Sequence, residues 1–235
     1  MFTEAGRDAI RDDLIEWADA DDRVIGAALP GRGRGRAAQA WADIELALHV
    51  SPDADESSVV ADWTREVAGA HGVADTLDEE SEGARRRVLL LRSSLVMAVT
   101  FRAHARRAAS VRGFDAAVEV GRGWLSAAEA RSALIAGRGW QATIQLDALR
   151  DRVVALCASR HGLETRGGRG ADQLPWEVRD ALGHARAVAL TPAQLNGSRR
   201  RLLALLLDEA RHIDAALADA LAEPLGILSA DVAPR

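Results

Sequence analysis

The spacing at which apolar residues recur changes once along the chain, near residues 121–126, and that change constrains the architecture more than any single motif. Before it, apolar residues gather in runs of strand length: Val24 to Leu29, Ala42 to Val50, Val88 to Leu91 and Leu95 to Phe101. After it they recur at helical spacing over long stretches, as in Ile144, Leu146, Leu149, Val153, Leu156 and Cys157. A strand buries alternate residues and a helix buries one stripe. The chain therefore reads as α+β, with a small mixed β-sheet domain over residues 1–123 and an all-α helical bundle over 124–235.

Local signals fill in this outline. Thr3 is a fitting N-cap for a helix to Ala20 that sets Ile10, Leu14, Ile15 and Trp17 on one side. Val24 to Leu29 reads as a buried strand stopped by Pro30 and Gly31, and Ala42 to Val50 as a strand running from a polar rim into a core. A helix over Val59 to Ala70 brings Trp63 and Val67 onto one face. Arg92-Ser93-Ser94 makes a hairpin connection between the next two runs, and Phe114 to Val120 reads as a further strand. Helices then follow over Trp140–His161, Pro175–Val188 and Pro192–Leu221.

Composition sets the class. The chain is 48% hydrophobic and 28% charged, ordinary for a folded globular protein. Its net charge of −5 supplies no global basic field for nucleic acid, so a nucleic-acid partner is not expected. All 30 cationic residues are arginine. The lone Cys157 admits no internal disulfide and suits a reducing compartment. The segment from Met1 to Asp13 is charged and has no apolar core of a secretory signal, and no apolar run reaches the ~20 residues that span a bilayer, so a cytoplasmic location is expected.

The chemistry concentrates between Val24 and Val50. Residues two apart on a strand share a face, so Asp43 and Glu45 set two carboxylates side by side. Such a pair at a polar strand start suits Mg²⁺, a hard cation that keeps positions open for phosphates. The preceding loop, Gly31-Arg32-Gly33-Arg34-Gly35-Arg36, combines glycines that let backbone approach a polyphosphate with arginines that fork onto its oxygens. Gly31, Arg32, Gly33 and Arg34 are thus candidate contacts to a nucleoside triphosphate. The alternatives are a solvent-facing strand end and a flexible solvated loop or small RNA-contacting patch.

This stretch resembles the nucleotidyltransferase superfamily, in particular the kanamycin-type and other aminoglycoside nucleotidyltransferases. The resemblance rests on Leu29-Pro30-Gly31-Arg32 followed, about ten residues on, by Trp41-Ala42-Asp43-Ile44-Glu45-Leu46-Ala47-Leu48. It extends more loosely through Leu95–Phe101 and the helical second half. It implies transfer of a nucleoside monophosphate from a Mg²⁺-bound nucleotide to a hydroxyl of a small, aminoglycoside-type acceptor. Asp43 and Glu45 would then be metal ligands and catalytic residues. Two positions depart from the family pattern: Arg32 stands where a serine follows the signature glycine, and Ala98 aligns with the third carboxylate. An impaired enzyme, a pseudoenzyme with a nucleotide-binding or regulatory role, and a transferase acting on RNA ends all stay open here.

Elsewhere structural roles are expected. His49 reads as a partly buried histidine, Cys157 as inert core, and Trp124, Trp140 and Trp176 as packing anchors. Arg85-Arg86-Arg87 and Arg199-Arg200-Arg201 read as charged flanks of buried elements, and no histidines stand at metal-ligand spacing. Nothing in the pattern sets an oligomeric state.

Overall fold

A computed structural model describes residues 3–29, 44–81, 84–102 and 114–234. It divides into two compact units, Met1–Val111 and Arg112–Arg235. The Gly/Arg loop and Asp43 lie outside the described residues. Among the described residues no helix is long and apolar enough to cross a membrane.

The first unit is a five-stranded mixed sheet with two helices. In chain order these are α1 (Glu4–Ala20), β1 (Val24–Ala28), β2 (Ile44–Val50), α2 (Glu56–His71), β3 (Val73–Ser81), β4 (Ala84–Leu91) and β5 (Val96–Arg102). The strands lie in the order β1-β2-β5-β4-β3. β2 and β5 run parallel at the centre and every other neighbouring pair is antiparallel.

One face of the sheet is packed by the helices. Ile44, Leu46, Leu48 and Val50 of β2 and Met97, Val99 and Phe101 of β5 join Leu14 and Ala18 of α1 and Val59, Val60, Trp63 and Val67 of α2 in a single core. Side-chain oxygens cap both helices: Thr3, as the sequence predicts, accepts from the Gly6 N–H at 3.0 Å, and Asp55 accepts from the Ser58 N–H at 2.9 Å and starts α2 ahead of the expected Val59. Asp21 fastens the corner from α1 into β1. Its carboxylate accepts from the Arg23 guanidinium and backbone N–H and, at 3.0 Å, from Trp63 Nε1.

Three sequence expectations change here. Val24–Ala28 is an edge strand with Ile25 exposed, where a buried strand was expected; among the described residues it pairs with β2 alone. His49 is exposed, because it shares a face with Glu45 and not with the buried Leu48 and Val50. Arg85, Arg86 and Arg87 do not flank β4 but belong to it, standing opposite Glu80, Glu79 and Asp78 of β3. Arg87 forks onto Asp78 with both bonds at 2.7 Å.

The second unit is all-helical: α3 (Ala116–Ile135), α4 (Gly139–Arg160), α5 (Trp176–His184), α6 (Pro192–Ile213) and α7 (Ala215–Ser229), with two short 3-10 turns between α4 and α5. Asp115 caps α3 by accepting from the Ala117 and Val118 N–H groups, so Phe114–Val120 opens a helix in place of the expected strand. α3 runs unbroken through residues 123 and 124, where the sequence sets the domain limit. The stretch Pro192–Leu221 is two helices, because Asp214 takes extended backbone and caps α7 through the Ala216 N–H at 2.8 Å.

Ion pairs between buried acids and half-exposed arginines link these helices. Glu119 of α3 accepts from Arg152 of α4 at 3.0 Å, and Glu209 of α6 takes a fork from Arg160 of α4. Trp124 is fully buried, whereas Trp140 and Trp176 are 74% and 66% exposed and do not anchor packing. Arg199 is no surface flank but fully buried, donating to the Ala230 carbonyl at 2.6 Å and to Asn196.

At Gly123 a methyl group would meet Leu206 Cδ1 at 2.8 Å, so the buried Leu206 side chain must shift to admit alanine. At Gly69 of α2 a methyl group meets nothing within 4 Å. Alanine in a helix gains up to about 1 kcal/mol over glycine, while overpacking costs roughly 1–3 kcal/mol. Gly69→Ala is therefore expected to stabilise the chain and Gly123→Ala to destabilise it by about 1 kcal/mol net, read from urea unfolding midpoints.

Candidate functional site at the rim of the sheet

β2 lies between β1 and β5, a position where most side chains are buried, and Ile44, Leu46, Ala47, Leu48 and Val50 are. Glu45 interrupts that pattern. Strand alternation turns it away from the face packed by α1 and α2, and its side chain keeps 51% exposure. A carboxylate on a central strand is costly to bury unless a hydrogen-bond or charge partner meets it.

Two neighbours define its surroundings. The first is Ala98, its register partner on the parallel strand β5, 2% exposed. Paired residues on neighbouring strands share a face, so Ala98 stands beside Glu45 and presents a methyl group there. The second is Arg86 of β4, whose Nη2 lies 3.6 Å from Glu45 Oε1 while its Nη1 donates to Glu79 Oε2 at 2.6 Å. Arg86 is thus shared between an acid of the edge strand and the candidate site. The spacing of charges in the sequence does not reveal this neighbour, because it comes into place only through the antiparallel pairing of β4 with both β3 and β5.

Of the residues assigned from sequence, Glu45 is the one described. Asp43 and the loop residues Gly31, Arg32, Gly33 and Arg34 lie outside the described residues. Among the described residues no group of three or more His, Cys, Asp or Glu could hold a metal ion. Magnesium is commonly held by one or two carboxylates together with a substrate's phosphates, and Glu45 fits the first of those roles. With Arg86 close by and Ala98 offering no oxygen, the described residues alone do not form a site for free magnesium.

Cys157, the other chemically distinctive side chain, plays no part here. It is buried on α4, its Sγ donates to Glu209 Oε1 at 3.3 Å, and burial followed by the charge of Glu209 pushes the thiol up to about 12. It is inert core, as the sequence suggests.

No protein-family model matches the chain. No curated protein matches it either. Among solved structures it is similar to the crystal structure of an aminoglycoside 6-adenyltransferase from Bacillus subtilis, at 13% identity and a TM-score of 0.37, over 97% of this chain and 96% of that one. A likeness of that degree says nothing of this chain's chemistry.

The Glu45–Arg86 contact is long and half-exposed, so Glu45→Gln is expected to change unfolding free energy by less than about 0.5 kcal/mol in urea titration. Near pH 8, about the range where ordinary thiols react, a disulfide reagent is expected to label Cys157 in unfolded but not native chain, read by absorbance.

Proposed function

We propose that this chain is a nucleotidyltransferase-like protein that takes a magnesium nucleoside triphosphate at the rim of its sheet. On this reading Gly31, Arg32, Gly33 and Arg34 contact the triphosphate and Asp43 and Glu45 hold the magnesium it carries. The ion would neutralise phosphate charge and keep the transferring group in line. The reaction is transfer of the nucleoside monophosphate to a hydroxyl of a small, aminoglycoside-type acceptor, with pyrophosphate leaving.

The observation that carries this reading is Glu45: a half-exposed acid near the start of a central strand, beside the residue that aligns with the family's third carboxylate. A solvent-facing strand end explains an acid on an edge strand well. It explains one between two paired strands less well, since burial there is the rule. The antiparallel β1–β2 pair also joins the two ends of the Gly/Arg loop to the same part of the sheet.

Ala98 sets the rate. Loss of a general base costs about 10²–10⁴-fold, so transfer by this chain is slow compared with a site bearing three carboxylates. The same alanine, with the Arg86 cation near Glu45, favours a second reading: a protein that binds the nucleotide without transferring it.

Calorimetry with each nucleoside triphosphate, with and without Mg²⁺, tests the common part. Metal-dependent binding that Glu45→Gln weakens at least tenfold (about 1.4 kcal/mol) is expected, and equal binding by wild type and variant removes the site. Pyrophosphate release with an aminoglycoside acceptor separates the readings. Ala98→Asp is expected to raise release by about 10²-fold if the chain is an impaired transferase, and to leave it at background if it only binds.

A further inference from the structure

We propose that a second site, on the helical side of the first unit, binds a small organic ammonium ion. The C-terminal turn of α1, the corner into β1 and the middle of α2 enclose an open cavity of about 490 Å³. Its residues lie on the sheet face opposite Glu45, so it is separate from the rim of β2. Cavities of about 300–1,000 Å³ are the size that takes small ligands.

The lining is aromatic and acidic together. Trp17 and Trp63 meet edge to face, with ring centroids 6.4 Å apart. Four carboxylates and one guanidinium share the same walls. Two of the acids are already occupied: Asp21 by Arg23 and Trp63 Nε1, and Asp62 by Arg23 at 2.7 Å and Arg65 at 2.8 Å. Hydrogen bonds from Arg23 hold the Asp21 carboxyl down at about 2, so it stays charged. Asp22 and Glu66 line the cavity exposed, with no cation paired to either among the described residues. α1 adds to this field, since its last turn contains no basic residue to offset the negative end of the helix dipole.

That combination selects the ligand's chemistry. An anion meets a net negative wall, and a neutral apolar molecule leaves two free carboxylates to be desolvated. An inorganic cation needs several converging oxygens, and among the described residues no such group exists. An organic ammonium ion satisfies both features, with its charge against Asp22 and Glu66 and its carbon body against the parts of Trp17 and Trp63 that line the cavity.

The test uses the full chain and two probes of equal shape, benzylammonium chloride and benzyl alcohol, titrated by calorimetry at low salt. Benzylammonium is expected to bind once per chain and the alcohol at least about tenfold more weakly. The double variant Asp22→Asn/Glu66→Gln is expected to lose about tenfold in benzylammonium affinity while keeping its unfolding midpoint, both side chains being exposed. Equal affinity for the two probes, unchanged affinity in the double variant, displacement of benzylammonium by stoichiometric MgCl₂, or no binding heat would each overturn the proposal.

Discussion

The parallel pairing of β2 with β5 is the constraint on which the first unit rests. Parallel strands cannot be joined by a tight turn, so the chain between them must cross over the sheet. Here that crossover contains α2 and the whole of β3 and β4. α2 lies over the face carrying Leu46, Leu48, Val99 and Phe101, and its Trp63 reaches the corner between α1 and β1. The same pairing sets Glu45 level with Ala98, and the antiparallel return through β4 brings Arg86 toward that acid. Core, corner and candidate site thus follow from one register. A slip of one residue would turn the buried side chains of β2 outward and Glu45 into the core.

Much of this was legible from residue patterns, and the failures have physical causes. α1, β2, α2 and the β4–β5 hairpin are readable because each carries an apolar stripe or run with a clear stop. β3 carries no such signal. Its sequence, Val73-Ala74-Asp75-Thr76-Leu77-Asp78-Glu79-Glu80-Ser81, is too polar to signal a strand, and it is one because its acids stand opposite the arginines of β4. Apolar periodicity cannot register a strand held by cross-strand charge. Trp140 and Trp176 show the reverse error, since a large apolar side chain at a helix start carries no information about whether anything lies over it. The break at Asp214 came from a cap, a local hydrogen bond that a run of helix-forming residues conceals.

For the candidate site, sequence supplied the carboxylates and the alignment of Ala98, while the fold supplied adjacency. The exposure of Glu45, its register with Ala98 and the approach of Arg86 are properties of a sheet, invisible along a line. In the helical unit the corresponding lesson is Arg199. It sits in an arginine triplet that looks like a surface flank, yet one member turns inward, and burial with neighbouring Arg131 brings its ordinary value down to about 10. Asn196 shares the task of holding the C-terminal tail, taking the Val232 N–H and donating to its carbonyl.

The two margins of the sheet are defended unequally. On the β3 side an incoming strand would have to strip water from Asp78, Glu79 and Glu80 and compete with the arginines that already hold them. The β1 side, Val24 to Ala28, is uncharged along its whole length and presents Ile25 outward. Among the described residues, self-association by strand addition therefore has one open direction, and a lysine in place of Ile25 would close it.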